Sequence, residues 1–133
     1  MWNRIRRAVA LGMLSGWCIS GTRADDCFVW EERQIDAPSA RYGHTMTYDS
    51  TRRTTVLFGG QDFGGFLGDT WLWDGQAWTL AASTGPSPRV GASMAFDARH
   101  GVTVLFGGAT LDDTWQWDGI GWSMVASTGP PRL

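Results

Sequence analysis

The chain has 133 residues, of which 43% are hydrophobic and 18% charged, and its formal net charge is −2. This composition excludes wholesale disorder, and the length allows one domain of ordinary size. The weak net charge gives no reason to expect nucleic-acid binding. Trp is unusually frequent, with nine copies, and the positions of these residues are informative.

The first 24 residues have the pattern of a secretory signal peptide. Arg4, Arg6 and Arg7 precede an uncharged stretch over residues 8–22, and Ala24 is a small residue at the expected cleavage site. The uncharged stretch is shorter than the roughly 20 residues that a membrane-spanning helix needs. We therefore expect export, with the mature chain secreted, periplasmic or otherwise extracytoplasmic, and no membrane span.

Cleavage after Ala24 would change the charge and the cysteine content. All 13 acidic residues but only 7 Arg follow Ala24, so the mature chain would carry a formal charge of −6. That charge disfavours nucleic acid and anionic membrane surfaces as partners. Cys27 would be the only Cys left, so no disulfide framework is expected. Cys27 is either buried and inert or paired with another chain.

The rest of the chain contains an internal repeat. Residues 38–60 align with residues 86–108, and 12 of these 23 positions are identical. After loops of unequal length, residues 69–82 align with residues 113–126, with 8 of 14 positions identical. The two copies are 48 residues apart in the first block and 44 in the second. A repeat with a period of this length predicts a solenoid or a propeller.

Each repeat has the pattern of four β-strands. In the first repeat the short run His44–Tyr48 precedes Thr55–Phe58, whose composition is typical of a strand buried on both faces. Gly59-Gly60 are expected to end that strand because the backbone needs positive φ or close approach there. Thr70–Trp73 place two Trp on one face of a third strand, and Asp74-Gly75 predict a tight turn into a fourth.

The second repeat contains the equivalent segments. They are Ala92–Phe96, Thr103–Phe106, Gly107-Gly108, Thr114–Trp117 and Asp118-Gly119. Four short strands joined by turns, and repeated, indicate the blades of a β-propeller.

The combined motif resembles the kelch repeat. It consists of Pro, Arg-x-Gly, a short strand, a β-rich run that ends in Phe-Gly-Gly, an aromatic strand and a following Trp, and it covers residues 38–126. One departure is that His44 follows Arg-x-Gly in the first repeat, whereas Ala92 stands there in the second. The resemblance implies an all-β fold with two four-stranded antiparallel kelch-type β-propeller blades.

The expected organisation has five segments. They are a signal peptide (1–24), an N-terminal stray outer strand around Trp30 (25–37), kelch repeat 1 (38–85), kelch repeat 2 (86–129) and the start of a missing third repeat (130–133). Two blades form an incomplete propeller, because closed propellers have roughly 4–8. Two interpretations stay open: a truncated fragment of a longer kelch protein, or a homo-oligomer whose copies close the ring.

The candidate binding residues lie where the resemblance places one face of the propeller. In kelch propellers the loops between second and third strands and the blade linkers form that face, which corresponds here to residues 61–68, 109–112 and 83–88. The first loop is longer than its counterpart and carries Phe63 and Phe66 between glycines. Loops on a rigid scaffold are where binding residues concentrate.

Two polar residues and two Arg complete this candidate set. Gln61 and Asp62 begin the longer loop. Arg41 and Arg89 occupy the Arg-x-Gly position, which lines the central pocket of some kelch propellers and pairs there with acidic ligand groups. The alternative is that both Arg only support the turn that links the blades.

The function expected from these features is a secreted kelch-repeat binding or scaffold module with no catalytic residue, metal or cofactor. Its partner would be a protein or a glycan. The first alternative is a part of a larger propeller enzyme whose catalytic residues lie outside this chain. Some kelch-like propellers are copper oxidases, but Tyr42, His44 and Tyr48 are too close along one strand for such a site. A carbohydrate-binding propeller unit ranks third, because packing explains the regularly repeated Trp better.

Overall fold

The computed structural model describes residues 36–129, which form eight β-strands and no helix. The strands make two four-stranded antiparallel sheets, as predicted. Sheet 1 consists of β1 (Thr45–Asp49), β2 (Thr54–Asp62), β3 (Gly65–Trp73) and β4 (Trp78–Ala82). Sheet 2 consists of β5 (Ser93–Asp97), β6 (Val102–Gly108), β7 (Leu111–Trp117) and β8 (Trp122–Ala126).

Several expectations fall on other parts of the chain. The signal peptide, the strand around Trp30, Cys27 and the segment 130–133 lie outside the described residues.

Both sheets are meanders in which strands that follow one another in the sequence also pair in space. The register is equivalent in the two sheets: Met46 pairs with Leu57 in sheet 1, and Met94 pairs with Leu105 in sheet 2. Both sheets also have a register shift between their second and third strands, just after Phe58 and Phe106 respectively. The second repeat therefore folds with the same pairing pattern as the first.

The first strands begin and end one residue later than predicted. They start at Thr45 and Ser93 and extend to Asp49 and Asp97. Each Asp can belong to the strand and the turn at once, because its backbone pairs in the strand while its side chain binds the turn. Asp49 pairs with Thr54 in the ladder, while its carboxylate accepts two backbone N–H groups of the turn.

The prediction that the paired glycines end the second strands was wrong for sheet 1 and confirmed for sheet 2. β2 continues through Gly59-Gly60 to Asp62, whereas β6 ends at Gly108. The expected positive φ is present, at 66° and 100° for the first pair. A Cβ on Gly60 would lie 3.0 Å from the carbonyl oxygen of Tyr42. The glycines thus form a bulge that a neighbouring segment approaches closely, and pairing resumes beyond it.

The predicted loops of unequal length, residues 61–68 and 109–112, are mostly strand. Each hairpin has a two-residue turn, Phe63-Gly64 in sheet 1 and Ala109-Thr110 in sheet 2. The strands β2 and β3 have 9 residues each, whereas β6 and β7 have 7. The four extra residues of the first repeat therefore lengthen a hairpin by two residues on each strand.

The two sheets pack against each other through buried side chains. Phe58 of sheet 1 meets the indole of Trp122 in sheet 2 edge to face, with ring centroids 5.3 Å apart. The same indole donates a 2.8 Å hydrogen bond from Nε1 to Thr70 Oγ1. The most deeply buried residues of the two sheets include Val56, Phe58, Thr70, Thr103, Leu105 and Trp117.

The burial expected for the second strands holds in one sheet only. Val56, Leu57 and Phe58 are at most 4% exposed, so β2 is buried on both faces as predicted. In β6 the prediction was wrong at Phe106, which is 39% exposed. Phe106 occupies the position of Phe58, but its face of sheet 2 lies opposite the one that carries Trp117 and packs on sheet 1.

Candidate functional site

The meander topology brings the β2–β3 turn, the β6–β7 turn and the linker between the sheets to the same end of the strands. We call residues 61–68, 83–92 and 109–112 the hairpin end. The linker is fastened there by backbone hydrogen bonds: Arg89 N donates to Leu67 O at 3.0 Å, and Gly60 N donates to Arg89 O at 2.9 Å. The hairpin end is therefore a continuous surface that spans both sheets.

The lengthened β2–β3 hairpin presents two aromatic side chains to solvent. Phe63, in the turn, is fully exposed, and Phe66 is 51% exposed on β3. The hairpin of sheet 2 offers only the smaller Leu111, at 39%. Packing within the chain does not explain why Phe63 and Phe66 stand at these exposed positions.

Hydrogen bonds hold the hairpin tip in place. Asp62 accepts a hydrogen bond from the N–H of Gly64 at 2.7 Å, which closes the turn, and another from Ser39 Oγ at 3.3 Å. Gln61 and Tyr42 exchange two backbone hydrogen bonds, of 3.0 and 2.9 Å. The segment before β1 is thereby paired with the hairpin, and the aromatic residues project from an ordered support.

Tyr42 belongs to the same surface, although sequence reasoning did not select it for binding. Its side chain is 63% exposed, and together with Phe63, Gln61 and Asp62 it lines a surface cavity of about 480 Å³. The sequence did contain a signal for Tyr42: it breaks the repeat, because Val90 stands at the equivalent position in the second copy. We call Tyr42, Phe63 and Phe66 the aromatic patch.

A second cavity lies beside the patch. It has a volume of about 550 Å³ and lies between the start of β3, including Phe66 and Gly68, and the linker residues 83–88. Pro88 packs so closely on Gly68 that a Cβ there would lie 3.2 Å from it. Phe66 thus lines this second cavity, whereas Tyr42 and Phe63 line the first.

Arg41 is tied to β3 and to its own segment. Its guanidinium donates to both carboxylate oxygens of Asp69, at 2.6 and 3.0 Å, to Gly59 O and to both the carbonyl and the hydroxyl of Ser39. The Arg41 side chain is only 4% exposed. Burial raises the pKa of Asp69, but hydrogen bonds from Arg41 and Trp71 outweigh this and leave it below its ordinary value.

Arg89 makes the same set of contacts in sheet 2. It donates to Asp113 at 2.5 and 3.0 Å, to Gly107 O and to both oxygens of Ser87, with a side chain that is 0% exposed. The hydrogen bonds from Arg89 lower the pKa of Asp113, against a smaller opposing effect of burial, and Trp115 adds a further hydrogen bond that lowers it.

The six candidate residues therefore fall into two groups. Phe63 and Phe66 lie at the surface of the hairpin end, with Gln61 and Asp62 half-buried beside them. Arg41 and Arg89 lie beneath it and use their guanidinium groups to join the segment before each sheet to that sheet's third strand. Chemically, the surface offers aromatic faces and the Asp62 carboxylate.

Residues 36–129 contain no group of three or more His, Cys, Asp or Glu side chains placed to hold a metal ion. Within the same range no helix could cross a membrane.

No protein-family model matches the chain, and no curated protein matches it either.

Proposed function

We propose that the two sheets are blades of a kelch-type β-propeller. Three features support this proposal: the Arg-x-Gly and Phe-Gly-Gly motifs in each repeat, the meander order of both sheets, and the face-to-face packing through Phe58 and Trp122. Propellers repeat four-stranded sheets around a central channel in this way.

Within that fold, we infer that the chain is a binding or scaffold module without catalytic activity, and that it acts through the aromatic patch at the hairpin end. The observation that carries this is the exposure of Phe63 and Phe66 on a hairpin that is two residues longer on each strand than its counterpart in the second repeat. Exposed aromatic clusters on an ordered support are typical of protein-binding surfaces. The buried Arg41 and Arg89 would contribute by keeping that support rigid.

The partner that fits this surface best is a protein. Two Phe and one Tyr provide contact area with little polar recognition, and Asp62 beside them favours a partner with a basic group near an apolar one. A glycan is the second candidate, since Tyr42 and Asp62 line one cavity and combine a stacking surface with a hydrogen-bond acceptor. A partner in the extracytoplasmic space follows from the proposed export signal in residues 1–24.

The test is selection of binding peptides from a random phage-displayed library on the mature chain. The same peptides are then measured on the double variant Phe63→Ser/Phe66→Ser. A matched control is Ile120→Ser, because Ile120 is 87% exposed and lies in the β7–β8 turn at the other end of the strands. Thermal unfolding of all three proteins checks that the fold is retained.

We expect peptides that bind the wild type and the control but lose at least tenfold in affinity for the double variant. Peptides that bind all three proteins equally would contradict the proposed surface. A glycan array, probed with the same three proteins, separates the second candidate: glycan binding lost only in the double variant would replace the protein by a carbohydrate. Silence in both assays would contradict a binding module and favour the alternative, a part of a larger propeller enzyme.

A further inference from the structure

At the contact between the two sheets, one face of sheet 1 packs against the opposite face of sheet 2. Sheet 1 contributes the face with Val56, Phe58 and Thr70, and sheet 2 contributes the face with Trp117 and Trp122. At the contact Phe58 is 1% exposed, Thr70 is 0% exposed and Trp117 is 1% exposed. Both sheets contain both faces, because their registers are equivalent.

Sheet 2 leaves its copy of the first face uncovered. Phe106 and Thr114 pair with each other there, as Phe58 and Thr70 do in sheet 1. Phe106 is 39% exposed, and Val125 on the same face is 54% exposed. Gly129 lies against one edge of the Phe106 ring, and part of the side chain stays exposed to solvent.

In sheet 1, the face equivalent to the Trp117 and Trp122 face of sheet 2 is more exposed than it is in sheet 2. Trp73 is half-buried, whereas its equivalent Trp117 is 1% exposed. The two indoles Trp73 and Trp78 have a centroid distance of 5.5 Å and an interplanar angle of 45°, against 5.5 Å and 48° for Trp117 and Trp122. The geometry that receives Phe58 inside the chain is thus already present on the outer face.

Trp78 also has an unused donor within the described residues. Trp122 Nε1 donates to Thr70 Oγ1, but the indole N–H of Trp78 has no hydrogen-bond acceptor among residues 36–129. The equivalent acceptor is the hydroxyl of Thr114, on the uncovered face of sheet 2. The two outer faces of the chain are therefore complementary to each other.

We propose that the chain binds a second copy of itself head to tail, with Trp78 of one copy seated against Phe106 and Thr114 of the next. The contact would repeat the one that joins the two sheets within the chain. It is heterologous, because different faces of the two copies meet, and such contacts close into rings or run on as filaments. Closure at roughly two to four copies would give the usual number of blades.

One internal contact is not reproduced. Arg52 of sheet 1 donates to the carbonyl oxygens of Gly101 and Asp118 in sheet 2, and His100 stands at the position equivalent to Arg52. The contact between copies also lacks a covalent linker and must offset the entropy of association. We therefore expect it to be weaker than the internal contact and to depend on protein concentration.

The first experiment measures the molar mass of the mature chain by light scattering over a range of concentrations. We expect an assembly whose population rises with concentration in the wild type and is lost in Phe106→Arg and in Trp78→Glu. Leu80→Arg is the matched control, because Leu80 is exposed on the same strand as Trp78 and its equivalent Met124 stays 53% exposed at the internal contact. Circular dichroism checks folding, and Trp78→Phe, which removes the N–H donor and keeps a smaller aromatic ring, replaces Trp78→Glu if that variant unfolds.

Mixing the two variants tests the head-to-tail arrangement. Phe106→Arg keeps an intact sheet 1 face, and Trp78→Glu keeps an intact sheet 2 face, so an equimolar mixture restores one contact. The expected product is a capped pair with one copy of each. A wild type that stays a single copy at all concentrations would overturn the proposal, as would an assembly that survives both substitutions. Failure here leaves the aromatic patch untouched, since no residue is shared.

Discussion

Trp122 donates its indole N–H to the hydroxyl of Thr70 at 2.8 Å, across the contact between the two sheets. Thr70 is completely buried, and this hydrogen bond links the outer strand of sheet 2 to the third strand of sheet 1. This hydrogen bond fixes how the two sheets are placed against each other, because the indole N–H and the Thr70 hydroxyl must meet. Apolar packing alone would not fix that placement.

Trp122→Phe removes this hydrogen bond and keeps a ring against Phe58. We expect the free energy of unfolding to fall by about 1–3 kcal/mol, because the buried hydroxyl of Thr70 loses its partner. Urea unfolding followed by circular dichroism measures the change. The control is Trp78→Phe at a concentration where the chain is a single copy, where a loss below about 0.5 kcal/mol is expected. Equal losses in the two variants would assign the effect to ring packing instead.

Arg89→Met removes the guanidinium that joins the linker to β7. We expect a loss of about 3 kcal/mol, since breaking a buried ion pair by removing one partner costs about 3–5 kcal/mol and Asp113 keeps some contact with water. Asp113 is 15% exposed on its side chain, and Arg89 is 0% exposed. Chemical unfolding of the variant measures the loss.

A double-mutant cycle with Asp113→Asn isolates the pair. If the ion pair carries the effect, the double variant is less destabilised than the sum of the single variants. The equivalent cycle on Arg41 and Asp69 is expected to give a smaller coupling, because Asp69 is 24% exposed and better solvated. Additive losses in both cycles would show that the Arg side chains act by packing alone.

Acid is expected to weaken the fold through the same two carboxylates. Their pKa values are lowered in the folded chain, below the roughly 3.9 of an unfolded Asp. The unfolded chain therefore takes up protons first as pH falls. The stabilisation is fully present above about pH 5 and is progressively lost below about pH 4.

The slope of unfolding free energy against pH, between about pH 5 and about pH 3, measures this loss. Asp113→Asn should reduce the slope, because one of the carboxyls with a lowered pKa no longer titrates. Asp112→Asn serves as the control, since Asp112 is exposed and makes no ion pair within the described residues. An unchanged slope in Asp113→Asn would contradict the assignment.

Strand composition and turn residues were enough to predict two four-stranded antiparallel sheets, because each strand's pattern is local and occurs twice. The extent of the strands was not predictable in the same way. Gly59-Gly60 were expected to end β2, since the backbone needs positive φ or close approach there, but they form a bulge and pairing resumes beyond them. The bulge depends on the close approach of Tyr42, which belongs to another segment. No pattern within the β2 sequence predicts that approach.

The candidate site was predictable to the extent that it breaks the repeat. The longer segment with Phe63 and Phe66 is visible as an insertion, and the structure places both side chains at the surface. The surroundings of Arg41 and Arg89 were not visible, because their Asp partners lie far along the chain and pair with them only through the fold. The exposure of Phe106 likewise depends on which sheet lies beside it.

A pair of glycines separates backbone strain from close approach. Gly60 and Gly75 have almost the same φ, 100° and 102°. A Cβ on Gly60 would lie 3.0 Å from Tyr42 O, whereas one on Gly75 would meet nothing within 4 Å. We expect Gly75→Ala to cost about 1 kcal/mol from backbone strain and Gly60→Ala clearly more. Thermal unfolding of both variants decides this, and equal losses would mean that the neighbouring segment moves away freely.

Deleting Gln61, Asp62, Gly65 and Phe66 should separate the stability of the fold from the proposed binding surface. The deletion leaves Phe63-Gly64 as a two-residue turn and gives β2 and β3 the lengths of β6 and β7. Because sheet 2 already pairs with the shorter hairpin, we expect a folded chain with an unfolding free energy within about 1 kcal/mol of the wild type. Peptides selected on the wild type should no longer bind it. Retained binding would place the recognition surface elsewhere, and a chain that fails to fold would show that the longer hairpin is needed for sheet 1 itself.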